Sequence, residues 1–362
     1  MKIAFWGSSL VSAYWNGAAT YYRGILRALA HRGHKITFFE PDAYDRQKHR
    51  DIEDPAWARI VVYDPNEAEV QALLARCRRF DVVVKASGVG VLDEFLEDRI
   101  SQMPGPLCKI FWDVDAPATL DRLAANPRDS FHSALPRFDL VLTYGGGRRV
   151  TDGYKHAGAR ECFAIYNALD PDVHFPVPAN PRFACDLSFL GNRLPDREAR
   201  VDEFFFRAAS LANHKQFLLG GSGWADKPMP SNVCYAGHVY TADHNAFNGS
   251  ARMVLNISRE SMARYGFSPA TRVFEAAGAA ACLITDAWDG IDFFLEPGSE
   301  TLIARDGAEV ARIVRELDQS RAQAIGEAAR KRVLRDHTYE RRGALVESLL
   351  QEMFTPALAV QS

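Results

Sequence analysis

Short apolar runs alternate with longer stretches of helical periodicity along the whole chain. That alternation belongs to an α/β fold, with strands and helices interleaved. In the first half, apolar runs predict strands at 3–6, 35–39, 60–62, 81–85, 108–111 and 140–143. Residues 18–31 read as a helix, because Ile25, Leu26 and Leu29 share one face and Gly33 supplies a stop. Residues 66–78 read as a second helix, with Val70, Leu73, Leu74 and Cys77 on its apolar side.

The texture changes at 166–182, where Pro171, Pro176, Pro178 and Pro181 crowd one stretch. Proline lacks an amide donor and restricts the residue before it, so this stretch reads as a linker. The pattern then restarts. Asp186–Gly191 echoes Lys2–Gly7 as a polar residue, a buried run and a glycine. Further strands are expected near 216–219, 233–235, 253–257, 281–285 and 301–304, with helices at 195–212 and 270–277 and a helical tail over 307–354. The expected organisation is a first domain over 1–165, a linker over 166–182, a second domain over 183–340, and a closing helix and tail over 341–362. Two tandem α/β units make a cleft between them the natural ligand site.

Composition narrows the function classes. A chain of 362 residues is long enough for two domains. Lys plus Arg number 43 against 46 Asp plus Glu, a net charge of −3, which argues against generic nucleic-acid binding. No apolar stretch approaches the roughly 20 residues of a membrane span. The apolar run after Lys2 is too short for a signal-peptide core, and the six cysteines show no C-x-x-C. Cytoplasmic localisation is the expectation.

Three regions could carry chemistry. The first strand ends in Gly7-Ser8-Ser9, and Asn16-Gly17-Ala18 opens the first helix. This is either an anion site of backbone amides or a tight turn. The spacing does not fit G-x-G-x-x-G, there or at Gly220–Gly223, and there is no phosphate-binding P-loop motif. The densest polar segment runs from Asn256 to Gly278, from a strand through a Gly/Pro loop into a helix. Arg272 and Glu275 share a face of that helix, as a diphosphate- and ribose-binding couple or as an ordinary intrahelical pair. Asp113 and Asp115 follow a strand and spell D-x-D. Two oxygen ligands are few for a divalent cation, and no metal site is expected. In the tail, Leu345, Leu349 and Met353 make a stripe at helical spacing.

The segment 256–278 resembles the donor motif of glycosyltransferases with the GT-B fold. More narrowly, the second half is similar to the CgeB-like family. The matching stretches are Phe189–Arg193, Tyr235–Val239, Leu255–Arg259, Arg272–Gly278 and Thr285–Gly290. Arg32-Gly33-His34 and Tyr166–Asp170 resemble the corresponding turns earlier in that fold. The resemblance implies two tandem Rossmann-like domains facing across a cleft, with a C-terminal helix packing back on the first. It implies a hexosyltransferase-like enzyme using a nucleotide-diphosphate sugar, most simply a UDP-sugar, and no other cofactor. The acceptor would be a small molecule, a glycan or a protein.

By the same resemblance, Glu275 would hold the donor ribose, and Gly266, Phe267 and Ser268 would border the sugar and phosphates. Arg193 and Arg272 are the candidates for the diphosphate, with Asn192 and Ser258 beside them and His238 and Tyr240 near the base. Ser8, Asn16 and Gly17 are candidates on the acceptor side. Retaining enzymes of this fold usually carry a second glutamate eight positions before the ribose glutamate, where this chain has Phe267. Asp113 and Asp115 are the candidate bases, and Asp115 is preferred because Ala116-Pro117 forces a loop after it. A non-catalytic nucleotide or sugar sensor and a nucleotide-sugar epimerase are the competing readings.

Overall fold

A computed structural model describes residues 1–14 and 16–354. The chain divides into one unit of Met1–Tyr166 with Tyr339–Ser362 and a second of Asn167–Thr338. Part of the expected tail, 355–362, lies outside the described residues.

The first unit is built on strands β1 (Lys2–Trp6), β2 (Lys35–Pro41), β3 (Ala58–Tyr63), β4 (Val82–Ala86), β5 (Cys108–Asp113), β6 (Leu140–Thr143) and β7 (Cys162–Ala164). Every pairing is parallel, in the order β3-β2-β1-β4-β5-β6-β7. Helices cover both faces of such a sheet, which is why β4 is buried at all five positions. Strand order reverses between β1 and β4, so the loops after these strands open at a switch point. Of these strands, β7 was not expected. Cys162-Phe163-Ala164 is too short to stand out by pattern.

The helix Ala19–His31 buries Tyr21, Tyr22, Ile25, Leu26 and Leu29. The helix Tyr339–Phe354 lies against it, as expected of a closing helix, with Arg32 bonded to Glu347 and His34 3.2 Å from the same carboxylate. Its phase differs from the expected stripe. Tyr339, Gly343, Val346, Leu349 and Leu350 are buried, whereas Leu345 and Met353 are exposed. The seam begins at Tyr339, whose ring packs on Gly24 and Tyr21.

The second unit repeats the plan with β8 (Cys185–Leu190), β9 (Phe217–Gly220), β10 (Val233–Gly237), β11 (Ala251–Asn256), β12 (Leu283–Asp286) and β13 (Leu302–Ala304). Their order is β10-β9-β8-β11-β12-β13, again all parallel, so the switch point lies between β8 and β11. Leu187, Phe189, Leu219, Leu255 and Ile284 meet Phe205, Val310 and Val314 in its core. The expected helix at 195–212 is continuous, but Asp202–Phe206 forms a π-turn. The wider turn lets Phe204, Phe205 and Phe206 all reach the interior.

The proline-rich stretch is more than a connector. Asn167, Leu169, Asp170 and His174 are buried. Leu169 N–H donates to His337 C=O at 2.7 Å, and Asn167 Nδ2 donates to Pro269 C=O at 2.8 Å. The stretch is thus packed into the second unit.

Candidate functional site

In the second unit, two strand-end loops are knitted together. Gly191 N–H donates to Gly220 C=O at 2.9 Å, and Arg193 N–H donates to Ser222 C=O at 2.9 Å. Asn192 Oδ1 accepts from Ser222 N–H at 2.9 Å. Gly221 takes φ 117°, and a Cβ there would lie 2.3 Å from Gly191 O, so the close approach requires glycine. The glycines at 220–223 therefore bring β8 and β9 loops together.

Arg272 stands at the switch point. Its Nη2 donates to Leu190 C=O, at the end of β8, and its Nη1 donates to Asn256 Oδ1 at 3.2 Å, at the end of β11. Asn256 Nδ2 donates in turn to Thr285 Oγ1 at 3.0 Å. Thr285 bonds the buried Asp286, which also accepts from Arg200 Nη2 at 2.6 Å. A fully bonded network of this kind holds a side chain in one orientation. Burial and the nearby charge of Arg197 pull the Arg272 pKa down to about 9, so the group is a cation at neutral pH.

A second guanidinium joins it. Arg197 Nη2 donates to Asn192 C=O at 2.6 Å, and both Arg197 and Arg272 lie over the Phe189 ring, at 5.6 and 5.0 Å. A Cβ on Gly191 would sit 2.8 Å from Arg197 Nη2 and 3.1 Å from Arg272 Nη2. Two cations thus converge on one point above the end of β8. Among the described residues, neither forms an ion pair with a carboxylate. Burial lowers the Arg197 pKa as well.

Arg193 behaves differently from expectation. Its guanidinium is engaged by Glu198 at 2.7 Å and Asp226 at 3.0 Å. Those carboxylates neutralise it, and it is Arg197 that shares a point with Arg272. Ser258 is likewise committed: its N–H and Oγ both donate to Asp286 Oδ1 at 3.1 Å.

Glu275 lies one turn along the helix Thr271–Gly278 from Arg272. Its Oε1 is 4.0 Å from His174 Nε2. His244, at the start of the helix His244–Ser250, stacks near His174 with ring centroids 6.5 Å apart. Burial would raise the Glu275 pKa, but His174, His244 and Arg272 together outweigh it and hold the carboxyl below its usual range. Burial acts on His244 in the other direction and lowers its pKa.

His238 and Tyr240 follow the end of β10. They are exposed and meet edge to face at 4.6 Å. Gly266, Phe267 and Ser268 form a self-bonded loop, with Ser268 Oγ donating to Gly266 C=O at 2.9 Å and Phe267 N–H donating to Asp289 C=O at 2.6 Å. Phe267 takes φ 45°, a left-handed conformation that a bulky residue adopts only under constraint.

In the first unit, Asp113 is fully buried. It accepts from Tyr154 OH and from Asp115 N–H, the latter at 2.8 Å. That makes it an anchor rather than an available base. Asp115 is half-buried and immediately precedes the helix Ala116–Ala125. Ser8 and Asn16 are also internal braces. Ser8 Oγ donates to Asn16 Oδ1 at 2.9 Å, and Asn16 Nδ2 donates to Ser9 and Ser12 carbonyls. Gly17 is exposed. No cluster of three metal-ligating side chains occurs among the described residues, and none of their helices is long and apolar enough to cross a membrane.

Residues 197–351 match the family described as glycosyl transferase-like. No curated protein matches the chain. Among solved structures, the sucrose-phosphate synthase of Thermosynechococcus elongatus is 15% identical, with a TM-score of 0.72 over 98% of this chain and 99% of that one. HepE of Anabaena, solved with UDP and glucose, is 14% identical, with a TM-score of 0.68 over 97% and 100%. AviGT4, a glycosyltransferase involved in avilamycin A biosynthesis, is 16% identical, with a TM-score of 0.62 over 98% of each chain.

The fold is GT-B. Both parallel sheets belong to it. In this GT-B chain the glycosyl transferase-like match covers Arg197, Arg272 and Glu275 together.

Proposed function

We propose that this chain is a glycosyltransferase that binds a nucleoside-diphosphate sugar on its second unit and passes the sugar to an acceptor hydroxyl or similar nucleophile. The finer reading is a member of the CgeB-like family using a UDP-sugar in the cytoplasm. The observation that carries the proposal is the convergence of Arg197 and Arg272 at Gly191, with Glu275 one turn after Arg272 on the same helix. Two cations without carboxylate partners suit the two phosphates of a diphosphate, and guanidinium forks match phosphate oxygens in geometry. A carboxylate held ionised accepts two hydrogen bonds from a ribose diol. The exposed His238–Tyr240 pair offers an aromatic surface for the base beyond the ribose.

The chemistry follows from charge. The bond from the sugar's anomeric carbon to the diphosphate oxygen breaks, and its electron pair leaves with the nucleoside diphosphate. Fixed cations at that oxygen lower the barrier because they are already oriented when the charge appears. The acceptor oxygen forms the new bond to the anomeric carbon and loses a proton to a base. We assign that base to Asp115, since the oxygens of Asp113 are held by Tyr154 and by the Asp115 amide. Phe267 has no group to act as a nucleophile, which favours direct displacement with inversion over a route through the position it occupies.

A thermal-shift screen of UDP, ADP, GDP and their glucose conjugates tests the reading. A ligand that binds the native state raises its melting temperature. The expected result is a rise with one nucleoside diphosphate and its sugar. No rise with any of them contradicts the proposal. With the guanidiniums supplying the positive charge, transfer is expected to persist in excess chelator.

A further inference from the structure

Resting on the donor reading above, we propose that His174 is a positioning residue for Glu275, so that ribose recognition depends on the proline-bounded segment laid across the donor helix. The segment is fixed on both flanks of this histidine. His174 N–H donates to Asp170 C=O at 2.9 Å, closing a turn. Asn245 Nδ2 donates to Val173 C=O at 2.8 Å, and Asn245 Oδ1 accepts from Phe175 N–H at 3.3 Å. One asparagine thus brackets the residue from either side.

The donor helix is shaped to receive it. A Cβ on Gly278 would lie 2.8 Å from His174 O and 2.4 Å from Leu169 Cδ1. Any larger residue there would push the segment away, so the glycine three positions after Glu275 admits the histidine. The His174 side chain is 3% exposed. Its Nε2 is 4.0 Å from Glu275 Oε1, and its Nδ1 is buried without a hydrogen-bond partner. A buried polar atom left unsatisfied is costly unless the site has a use for the group.

The groups facing Glu275 are His174 from this segment, His244 from the helix His244–Ser250, and Thr271 and Arg272 from its own helix. A ribose diol needs both carboxylate oxygens turned outward in one plane. An imidazole at 4.0 Å from one oxygen limits that rotation electrostatically and sterically, and the contact can shorten when the donor draws the carboxylate into line. His174 touches neither phosphate nor sugar in this scheme and acts through Glu275.

Calorimetric titration of UDP and 2′,3′-dideoxy-UDP into the full chain separates these roles. Wild type is expected to prefer UDP by about ten-fold or more, the scale of hydrogen bonds to a charged group. In His174→Leu and His174→Phe, that preference is expected to fall to within about three-fold, while His174→Gln, which keeps an N–H, restores part of it. In turnover, the apolar variants raise the donor KM and leave kcat nearly unchanged. Equal weakening of both nucleotides, with the preference intact, would mean a merely structural role and overturn the inference. A measurement on wild type covers variants that fail to fold: the His174 imidazole nitrogen resonances shift with UDP and not with the dideoxy compound, and identical responses overturn the inference. Wild type that binds neither nucleotide contradicts the UDP-donor reading itself. Wild type that binds both equally removes the ribose role of Glu275.

Discussion

Arg197 and Arg272 bring their Nη2 atoms to a single point above Gly191, 2.8 and 3.1 Å from where a Cβ would stand. Like charges held close repel, and a bound dianion between them would relieve that repulsion. Replacing either by alanine is expected to weaken nucleoside-diphosphate binding about 10- to 100-fold, and Arg272→Ala also to lower the melting temperature, because Leu190 C=O and Asn256 Oδ1 lose their donor. Arg193→Ala is the control. Its partners are Glu198 and Asp226, so it should lower the melting temperature slightly and leave the affinity alone. Calorimetry and thermal melts on the three variants check this.

The same region shows what was legible in the sequence. Alternating strands and helices, the restart at 186 and the Arg272–Glu275 couple all follow from pattern, spacing and family resemblance, because strand burial and helical periodicity are local properties. Arg197 was missed. It lies four residues before the buried Val201, hence on the inward face of its helix, whereas Arg193 precedes the helix and turns to acids nearby. Counting back from the buried positions would have found it. The role of 167–182 was illegible for another reason. Proline content says that a stretch is irregular, but not what it packs on. His174 meets Glu275 across about 100 residues of sequence, and only the folded chain brings them together.

Ala280 follows the helix Thr271–Gly278 with φ 57°, in the left-handed region that L-residues other than glycine adopt at a cost. Ala280→Gly is expected to stabilise the protein by about 0.5–1 kcal/mol, net of the extra freedom glycine gives the unfolded chain. Chemical denaturation measures it, and a loss of stability would show that the Cβ packs favourably enough to offset the backbone.

The two aspartates of the first unit should separate. Asp113→Asn disturbs a buried carboxylate bonded to Tyr154 and is expected to cost about 1–3 kcal/mol of stability. Asp115→Asn should lower kcat by about 100-fold or more, the scale of general-base catalysis. Comparable kcat in wild type and Asp115→Asn would remove Asp115 as the base.

Glu275 is held below the usual carboxylate range, so it should stay ionised at a pH where an ordinary glutamate, with a pKa of about 4.3, is half protonated. A depressed folded-state pKa contributes stability above the unfolded value and loses it as pH falls through the folded one. Preference for UDP over its dideoxy analogue is therefore expected to hold constant from neutral pH down to about 5. A preference that fades between pH 7 and 6 would contradict an ionised, pre-set carboxylate.

The proposed donor site joins Glu275 to the paired guanidiniums. Calorimetric titration of UDP into wild type and Glu275→Ala tests it most directly. A measurable affinity is expected in wild type and a loss of about ten-fold or more in the variant, which stays folded with a lowered melting temperature because His174, His244 and Arg272 lose their carboxylate. Equal affinity in the two proteins would contradict it.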